Sequence, residues 1–203
     1  IFSIEYQEMI SKKRLINSFL DMYNSIMFKK IGIIYKESLS FDEDISPHME
    51  TILSHSKELY FHKSATDAPK DFPQLSKNEL GDQSDLIIVF GGDGTMLSTA
   101  RDFIGYDIPI MGVNFGQVGF LTDSSSNNFK KSIDDVFNDN FKLEERSFVK
   151  AEFDNKEIFG LNEIVIHSGS YAQMMKFSVS VDDQLIFEER ADGLIISTPT
   201  GST

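Results

Sequence analysis

The sequence contains no cysteine, which excludes disulfide bonds and thiolate metal sites. It has only 19 Lys and Arg residues against 32 Asp and Glu residues, so its formal net charge is -13. A chain this acidic attracts neither nucleic acid nor an anionic membrane surface, and we expect neither as a partner. Apolar runs near the ~20 residues needed to cross a bilayer are also missing. These features together fit a protein of the reducing cytoplasm.

What the chain does contain is the apolar content of a folded protein. Hydrophobic residues make up 40% of its 203 residues and aromatic residues 12%, enough to form a substantial core. We expect three regions. Residues 1–26 are predicted to form a helical extension, residues 27–140 an α/β nucleotide-binding domain, and residues 141–203 the first part of a β-rich domain.

Alternating strand and helix patterns define the α/β region. Residues 31–35 and 85–90 are short continuous apolar runs, typical of strands that are covered on both faces of a parallel sheet. Apolar residues at helical intervals follow, within residues 44–59 and from Met96 to Ile104. The polar stretch 63–82 is predicted to be a loop. The order of strand, helix and strand indicates a right-handed parallel crossover.

The pattern changes towards the end of the chain. Residues 108–113 predict another buried strand, and Ser126 is expected to cap a helix that runs through Phe137. Beyond about residue 142, short and often alternating segments are separated by turn residues at 154–155 and 182–183. These signals predict an antiparallel sheet after an α/β layer.

A glycine turn, Gly91-Gly92-Asp93-Gly94-Thr95, follows the apolar run at 85–90. The carboxyl end of a buried strand is where open α/β sheets bind their ligands. Glycines let a phosphate approach the backbone, and the N–H groups of a following helix face it. We therefore consider Gly91, Gly92, Gly94 and Thr95 candidate phosphate contacts. The turn matches neither a Walker A loop nor the dinucleotide fingerprint G-x-G-x-x-G.

Asp93 has two interpretations at this stage. It could accept the proton of a hydroxyl group that attacks a γ-phosphate, as the catalytic aspartate of other kinases does. It could equally be the cap of the following helix, in an ordinary Asp-Gly turn. The motif alone does not separate them.

Three further segments carry polar groups suited to a nucleotide. Residues 112–123 form a glycine-rich loop with Asn114, Asn162-Glu163 opens an apolar stretch, and residues 190–203 combine Arg190 and Asp192 with a hydroxyl-rich turn. Each would also suit an ordinary loop, strand end or turn.

His48, His55 and His62 recur every seven residues, but that spacing is ~10 Å along a helix, too far to share one ion. We predict packed or exposed histidines and no metal site of protein side chains.

In this order and spacing, these segments resemble the NAD kinase family. The resemblance rests on residues 91–94, the 112–123 loop, Asn162-Glu163, and Asp192-Gly193 leading to the 197–203 turn, and it extends from about Lys30 to the last residue. It implies a Rossmann-like α/β domain and a C-terminal β-sandwich-like domain, with NAD in the cleft between them. Members of the family continue beyond the 197–203 turn. We therefore expect a truncated second domain and a fragment that is inactive alone.

The family's activity would be transfer of the γ-phosphoryl group of ATP to the 2′-hydroxyl of the adenosine ribose of NAD. Asp93 matches the proton acceptor for that hydroxyl, and Gly94 matches its backbone neighbour at the same ligand. The resemblance implies further NAD-binding residues, namely Asn162, Glu163, Gln173, Arg190, Asp192 and Thr203. Gln173 departs from the family, because relatives often carry a basic or histidine side chain there.

The resemblance also implies substrates, a cation and an oligomeric state, and two alternative functions remain beside it. NAD and ATP are the implied substrates, Mg²⁺ or another divalent cation accompanies ATP, and the subunits form a homodimer or homotetramer. A lipid or diacylglycerol-type kinase resembles the family in its Gly-Gly-Asp-Gly-Thr segment and is the nearest rival enzyme. A non-catalytic nucleotide-binding module is the rival from another class.

Overall fold

The computed structural model describes residues 3–5, 28–115, 119, 121–122, 124–169 and 174–202. The chain forms two compact units that divide between Glu144 and Glu145, and Ser3–Glu5 belongs with the second unit. The strands are β1 (Ser3–Glu5), β2 (Lys30–Tyr35), β3 (Glu58–His62), β4 (Gln74–Leu75), β5 (Leu86–Phe90), β6 (Ile110–Asn114), β7 (Ser124–Ser125), β8 (Val149–Phe153), β9 (Lys156–Gly160), β10 (Glu163–His167), β11 (Met175–Val181), β12 (Gln184–Ala191) and β13 (Gly193–Ser197). The helices are α1 (Ser46–His55), α2 (Lys77–Gln83), α3 (Asp93–Asp102) and α4 (Phe129–Phe137). Within the described ranges, no helix has the length and apolar character that crossing a bilayer requires.

The first unit is built on a six-stranded parallel sheet in the order β4-β3-β2-β5-β6-β7. From β2 the chain adds β3 and β4 on one side, and it then crosses back to add β5, β6 and β7 on the other. The strand order therefore reverses between β2 and β5. This is the topological switch point, at whose carboxyl edge doubly wound sheets bind ligands.

Helices cover both faces of this sheet. β5 is buried at all five positions, because each face of a central parallel strand is covered. On one face, Ile88 and Phe90 pack with residues of α1 and α4. On the other face, Ile87 and Val89 pack with residues of α2 and α3. The predicted α/β fold class is confirmed for this unit.

The crossover after β2 is helical, as predicted, but begins differently. A π-helical turn at Phe41–Ile45 precedes α1, and the Ser40 hydroxyl accepts a hydrogen bond from the backbone N–H of Glu43. α1 then ends at His55 rather than near Leu59, which already belongs to β3. The seven-residue recurrence of histidines therefore runs from a helix into a strand.

The prediction of a loop over residues 63–82 is wrong in its last part. β4 and most of α2 lie there, and α2 begins with a capping box in which Ser76 and Glu79 satisfy each other's backbone N–H groups. Hydrogen bonds from Ser76 lower the pKa of Glu79 to about 2. The Ser-x-x-Glu spacing of a capping box is visible in the sequence. The surrounding residues are mostly polar, so they show no helical apolar period.

The expected cap of the helix ending at Phe137 is also wrong. Ser126 lies in a short 3₁₀ turn, Ser126–Asn128, which precedes α4. The position before α4 is Asn128, and its side chain makes no capping hydrogen bond. α4 is instead held by burial of Phe129 and Ile133 against the sheet.

The second unit is rich in antiparallel strands, as predicted. β8 pairs with β1 and β9, β10 pairs with β13, and β11 pairs with β12. Asp154-Asn155 and Asp182-Asp183 turn the two hairpins with positive φ angles, the conformation that two-residue hairpin turns require. Ser3–Glu5 is a strand, so the prediction of a helical extension fails at its start, where pairing with β8 determines the structure. The rest of that extension, residues 6–27, lies outside the described residues.

Candidate functional site

The glycine turn lies at the switch point, between the end of β5 and the start of α3. Gly92 is the residue that precedes α3, and Asp93 is the first helical residue. A Cβ atom added at Gly92 or Gly94 would meet nothing within 4 Å, so the backbone there is open to a ligand. At Gly91 an added Cβ would lie 2.8 Å from Cβ of Thr95, so glycine is needed for the turn to close. The turn thus presents bare backbone at the start of a helix, the arrangement that binds phosphate.

The Asp93 side chain is held by the loop that follows β6. Its Oδ1 accepts a hydrogen bond from the backbone N–H of Leu121 at 3.1 Å. Gly119 approaches the same carboxylate so closely that a Cβ atom there would overlap it. The helix-cap interpretation required Asp93 before the helix, whereas Gly92 occupies that position. The structure therefore brings together two motifs that are separate in the sequence, the glycine turn and the described part of the 112–123 loop.

Thr122 organises the described part of this loop. Its Oγ1 accepts a hydrogen bond from the backbone N–H of Gly119 at 3.0 Å and one from Nδ2 of Asn114 at 3.5 Å. Asn114 and Thr122 are both buried. Residues 116–118, 120 and 123 of the predicted loop lie outside the described residues. The Thr122 hydroxyl thus connects the end of β6 to the backbone that contacts Asp93.

A second group of predicted site residues meets within the C-terminal unit. Glu163 lies opposite Ser197 in the pairing of β10 with β13. The backbone N–H of Thr198 donates to the carbonyl oxygen of Asn162 at 2.8 Å, and its buried hydroxyl donates to the carbonyl oxygen of Leu161 at 2.5 Å. The Asn162-Glu163 segment and the hydroxyl-rich turn are therefore neighbours. Gly201 fits this contact, since a Cβ atom there would overlap the Asn162 carbonyl group.

Arg146 is a residue of this group that sequence reasoning missed. Its Nη1 donates to Oγ1 of Thr200 at 3.3 Å. The two residues are 54 positions apart, and a single arginine after two glutamates carries no motif. Only the fold shows that Arg146 contacts the hydroxyl-rich turn.

The remaining predicted residues are less closely grouped. Arg190 lies opposite Lys176 in the β11–β12 hairpin, and Asp192 stands between β12 and β13. Both are exposed, and in the described part of the chain neither is hydrogen-bonded to Asn162 or Glu163. Gln173 and Thr203 lie outside the described residues.

Two of the histidines are packed against aromatic rings, as expected. The ring of His48 lies 4.7 Å from that of Phe129 and stacks on Phe90 at 5.7 Å, and burial lowers the pKa of His48. His55 stacks on Phe137 at 4.6 Å, and its Nε2 lies 2.8 Å from Oδ1 of Asp134. Among the residues that the structure describes, no three His, Asp or Glu side chains are grouped to hold a metal ion.

The fold and these contacts define a class: a doubly wound α/β protein with a glycine turn and one acidic side chain at its switch point, followed by a β-rich unit. Comparison with known proteins gives the family. Residues 14–141 match the model of the ATP-NAD kinase N-terminal domain, and residues 161–203 match that of the ATP-NAD kinase C-terminal domain. The chain belongs to the NAD kinase family.

Individual relatives agree with this assignment. The chain is 42% identical to a NAD kinase of Marinomonas sp. over 130 residues, which is 62% of this chain and 44% of the relative. It is 43% identical to a NAD kinase of Chromohalobacter salexigens over 137 residues, which is 65% of this chain and 47% of the relative. The chain thus spans about half the length of the curated relatives it matches.

A solved structure confirms the fold. The crystal structure of yeast NADH kinase in complex with NADH aligns with a TM-score of 0.73 at 20% sequence identity. The alignment covers 92% of this chain and 64% of the yeast chain. This likeness includes both the parallel sheet with its helices and the β-rich region.

Proposed function

We propose that the full-length protein is a NAD kinase, which transfers the γ-phosphoryl group of ATP to the 2′-hydroxyl of the adenosine ribose of NAD to give NADP. One observation carries the proposal. A carboxylate, that of Asp93, is fixed by the backbone N–H of Leu121 beside the open backbone of Gly92 and Gly94 at the switch point. A carboxylate in this position can accept the proton of a hydroxyl group, and the open backbone beside it can bind phosphate, which supports the proposal.

Asp93 is the general base in this proposal. As the 2′-oxygen forms its bond to the γ-phosphorus, the bond from that phosphorus to the β–γ bridging oxygen breaks and ADP leaves. The proton of the 2′-hydroxyl passes to the Asp93 carboxylate. The protein forms no covalent bond with the substrates in this step. Positioning of the substrates and electrostatic stabilisation of the transition state supply most of the rate enhancement.

The phosphates of ATP would contact the glycine turn. We assign this contact to Gly91, Gly92, Gly94 and Thr95. The N–H groups of Gly91 and Thr95 already donate to the carbonyl oxygens of Val113 at 2.9 Å and of Gly92 at 3.0 Å. The phosphates would therefore be bound by the N–H groups of Gly92 and Gly94, at the start of α3, where the helix dipole favours negative charge. Mg²⁺ is the cation expected with ATP, because it is bound mainly by nucleotide phosphates with one or two carboxylates. It would offset negative charge on the phosphates at a site that already holds Asp93.

NAD would be held by residues of the family's motifs. We assign this role to Gly94, Asn162, Glu163, Gln173, Arg190, Asp192 and Thr203. The hydrogen bonds of Thr198 support the assignment for Asn162 and Glu163, because they fix that segment against the hydroxyl-rich turn. We further propose a cytoplasmic homodimer or homotetramer.

The rival functions are less well supported. A lipid kinase would share the glycine turn, but both family models that match the chain are those of ATP-NAD kinases. A non-catalytic module would need no proton acceptor at the switch point. Neither rival accounts for the Asp93 carboxylate together with the Asn162-Glu163 segment.

Incubation of the full-length protein with ATP, Mg²⁺ and NAD tests the proposal directly. NADP, measured by an enzymatic cycling assay, is the expected product. Tight NAD binding without NADP would favour the module, and phosphate transfer only to a lipid would favour the lipid kinase.

The Asp93→Asn variant keeps an oxygen for Leu121 but cannot accept the proton. It should bind NAD normally and lose about 10²–10⁴-fold in turnover, and near-normal turnover would remove the general-base role.

A further inference from the structure

Lys36 lies at the switch point, directly after β2. Its backbone N–H donates to the carbonyl oxygen of Phe90 at 3.0 Å, so Lys36 is held beside the first glycine of the 91–95 turn. Both segments belong to the same compact unit. β2 and β5 are also the two strands between which the strand order reverses. Lys36 is therefore the basic residue at the end of β2, beside this crevice.

The alternation of β2 puts Lys36 on the α3 side of the sheet. Ile33 and Tyr35 pack with the residues of α1 and α4, whereas Ile34 packs with those of α2 and α3. Because side chains alternate between the two faces along a strand, residue 36 is on the same face of the sheet as Ile34. α3, whose first residue is Asp93, covers that same face.

The electrostatic surroundings of Lys36 differ from those of half of the other lysines in the described chain. Six others lie within 4.0 Å of a carboxylate oxygen, namely Lys30, Lys63, Lys77, Lys131, Lys150 and Lys176. Lys36 is exposed, and it forms no ion pair with any residue that the structure describes. Its ammonium group is thus available to an anion from solution.

The crevice itself needs such a cation. The protein carries a formal net charge of -13, and Asp93 adds a carboxylate at the glycine turn. Backbone N–H groups contribute only partial charges against the full charges of a triphosphate. A lysine beside the turn supplies a compact positive charge of the kind that phosphate-binding loops use.

We propose that Lys36 contacts the β- or γ-phosphate of ATP and so fixes the donor against the glycine turn; this inference rests on the proposed function. Lys36 is then a residue of the ATP site and has no role in holding NAD. Its loss should weaken ATP binding much more than NAD binding. This difference between the two substrates separates a phosphate contact from a general structural role.

The test uses Lys36→Met in the full-length protein, with KM measured separately for ATP and for NAD. Methionine keeps an unbranched side chain, shorter by one atom, and removes its charge. We expect the KM for ATP to rise about tenfold or more, the loss of one charge-assisted hydrogen bond, while the KM for NAD stays within about twofold. Lys36→Arg should recover most of the ATP affinity. An unchanged KM for ATP, or equal rises for both substrates, would overturn the proposal.

Lys63→Met is the matched control. Lys63 follows β3 at the same edge of the sheet, but it is paired with Glu79 at 3.4 Å and lies away from the switch point. Its loss should leave both KM values unchanged. Lys36→Gln repeats the test if Lys36→Met does not fold.

Direct binding separates this inference from the proposed function. Isothermal titration of Mg·ATP and of inorganic triphosphate needs no turnover. If the wild-type protein makes no NADP, the proposed function fails, and the Lys36 inference is still tested by these titrations. Weaker binding of both probes to Lys36→Met supports it, and equal binding to wild type and variant overturns it.

Discussion

At the scale of single residues, the site depends on contacts that no local motif records. Asp93 and Leu121 are 28 positions apart and meet because β5 and β6 are neighbours in a parallel sheet. Sequence reasoning could locate Asp93 at the end of a buried strand, since the apolar run and the glycines are both local signals. It could not show which backbone group holds the carboxylate. That contact depends on the path of the loop after β6.

Gly119 offers a test of how finely Asp93 is positioned. A Cβ atom at residue 119 would overlap the Asp93 carboxylate, so Gly119→Ala should displace this side chain or the loop. A displacement of about 1 Å at a catalytic group can cost about a hundredfold in rate. We expect a fall of that order in the turnover of NADP formation, with a smaller change in the KM for ATP.

Gly105→Ala is the control for this substitution. An added Cβ at Gly105 would meet nothing within 4 Å, so NADP formation should be unaffected. Wild-type turnover in Gly119→Ala would show that Asp93 does not depend on this close approach.

At the scale of elements, the sequence predicted strands better than short helices. The buried run of β5 and the hairpin turns of the second unit have strong local signals, and both were found. α2 has only seven residues, too few for a clear apolar period. Its capping box was the usable signal, but tertiary packing of Leu80 against the sheet determines that the helix forms.

Thr198 connects two elements of the second unit and allows a stability test. Its hydroxyl donates to the carbonyl oxygen of Leu161, and the side chain is 1% exposed. Thr198→Val keeps the shape and leaves that carbonyl oxygen without this donor. The free energy of unfolding of the C-terminal unit should fall by about 1–3 kcal/mol, measured by urea denaturation of the full-length protein with and without NAD.

Two further variants are controls for the Thr198→Val substitution. Thr198→Ser keeps the hydroxyl and should restore most of the loss. Ser202→Ala removes an exposed hydroxyl that donates to the carbonyl oxygen of Pro199 at 3.0 Å, and it should change stability by less than about 0.5 kcal/mol. If Thr198→Val is as stable as wild type, the hydrogen bond to Leu161 is not what holds the turn.

At the scale of the whole molecule, the pattern of the sequence predicted the fold class but not the order of the strands. Alternating strand and helix patterns indicated a parallel sheet, and the later segments indicated antiparallel pairing. The strand order β4-β3-β2-β5-β6-β7 is set by long-range packing, and the position of the switch point follows from it. No sequence motif marks Lys36 as a site residue, because it lies near Gly91 only through the pairing of β2 with β5.

The charge of the whole molecule predicts how activity depends on magnesium. A protein of formal net charge -13 repels free ATP more than its magnesium complex, which carries about two fewer negative charges. Because Mg²⁺ is bound mainly by the phosphates of a nucleotide, we expect the cation to arrive with ATP. Chelation of divalent cations should lower NADP formation by about a hundredfold or more.

The source of this dependence can be tested by varying Mg²⁺ at several fixed concentrations of ATP. If the cation is bound through the nucleotide, the initial rates plotted against the concentration of the Mg·ATP complex fall on one curve. Mg²⁺ alone should then leave the melting temperature of the full-length protein unchanged, because binding to the folded state would raise it. Half-maximal activity at one Mg²⁺ concentration whatever the ATP level, together with a rise in melting temperature, would show instead that the protein binds the cation itself.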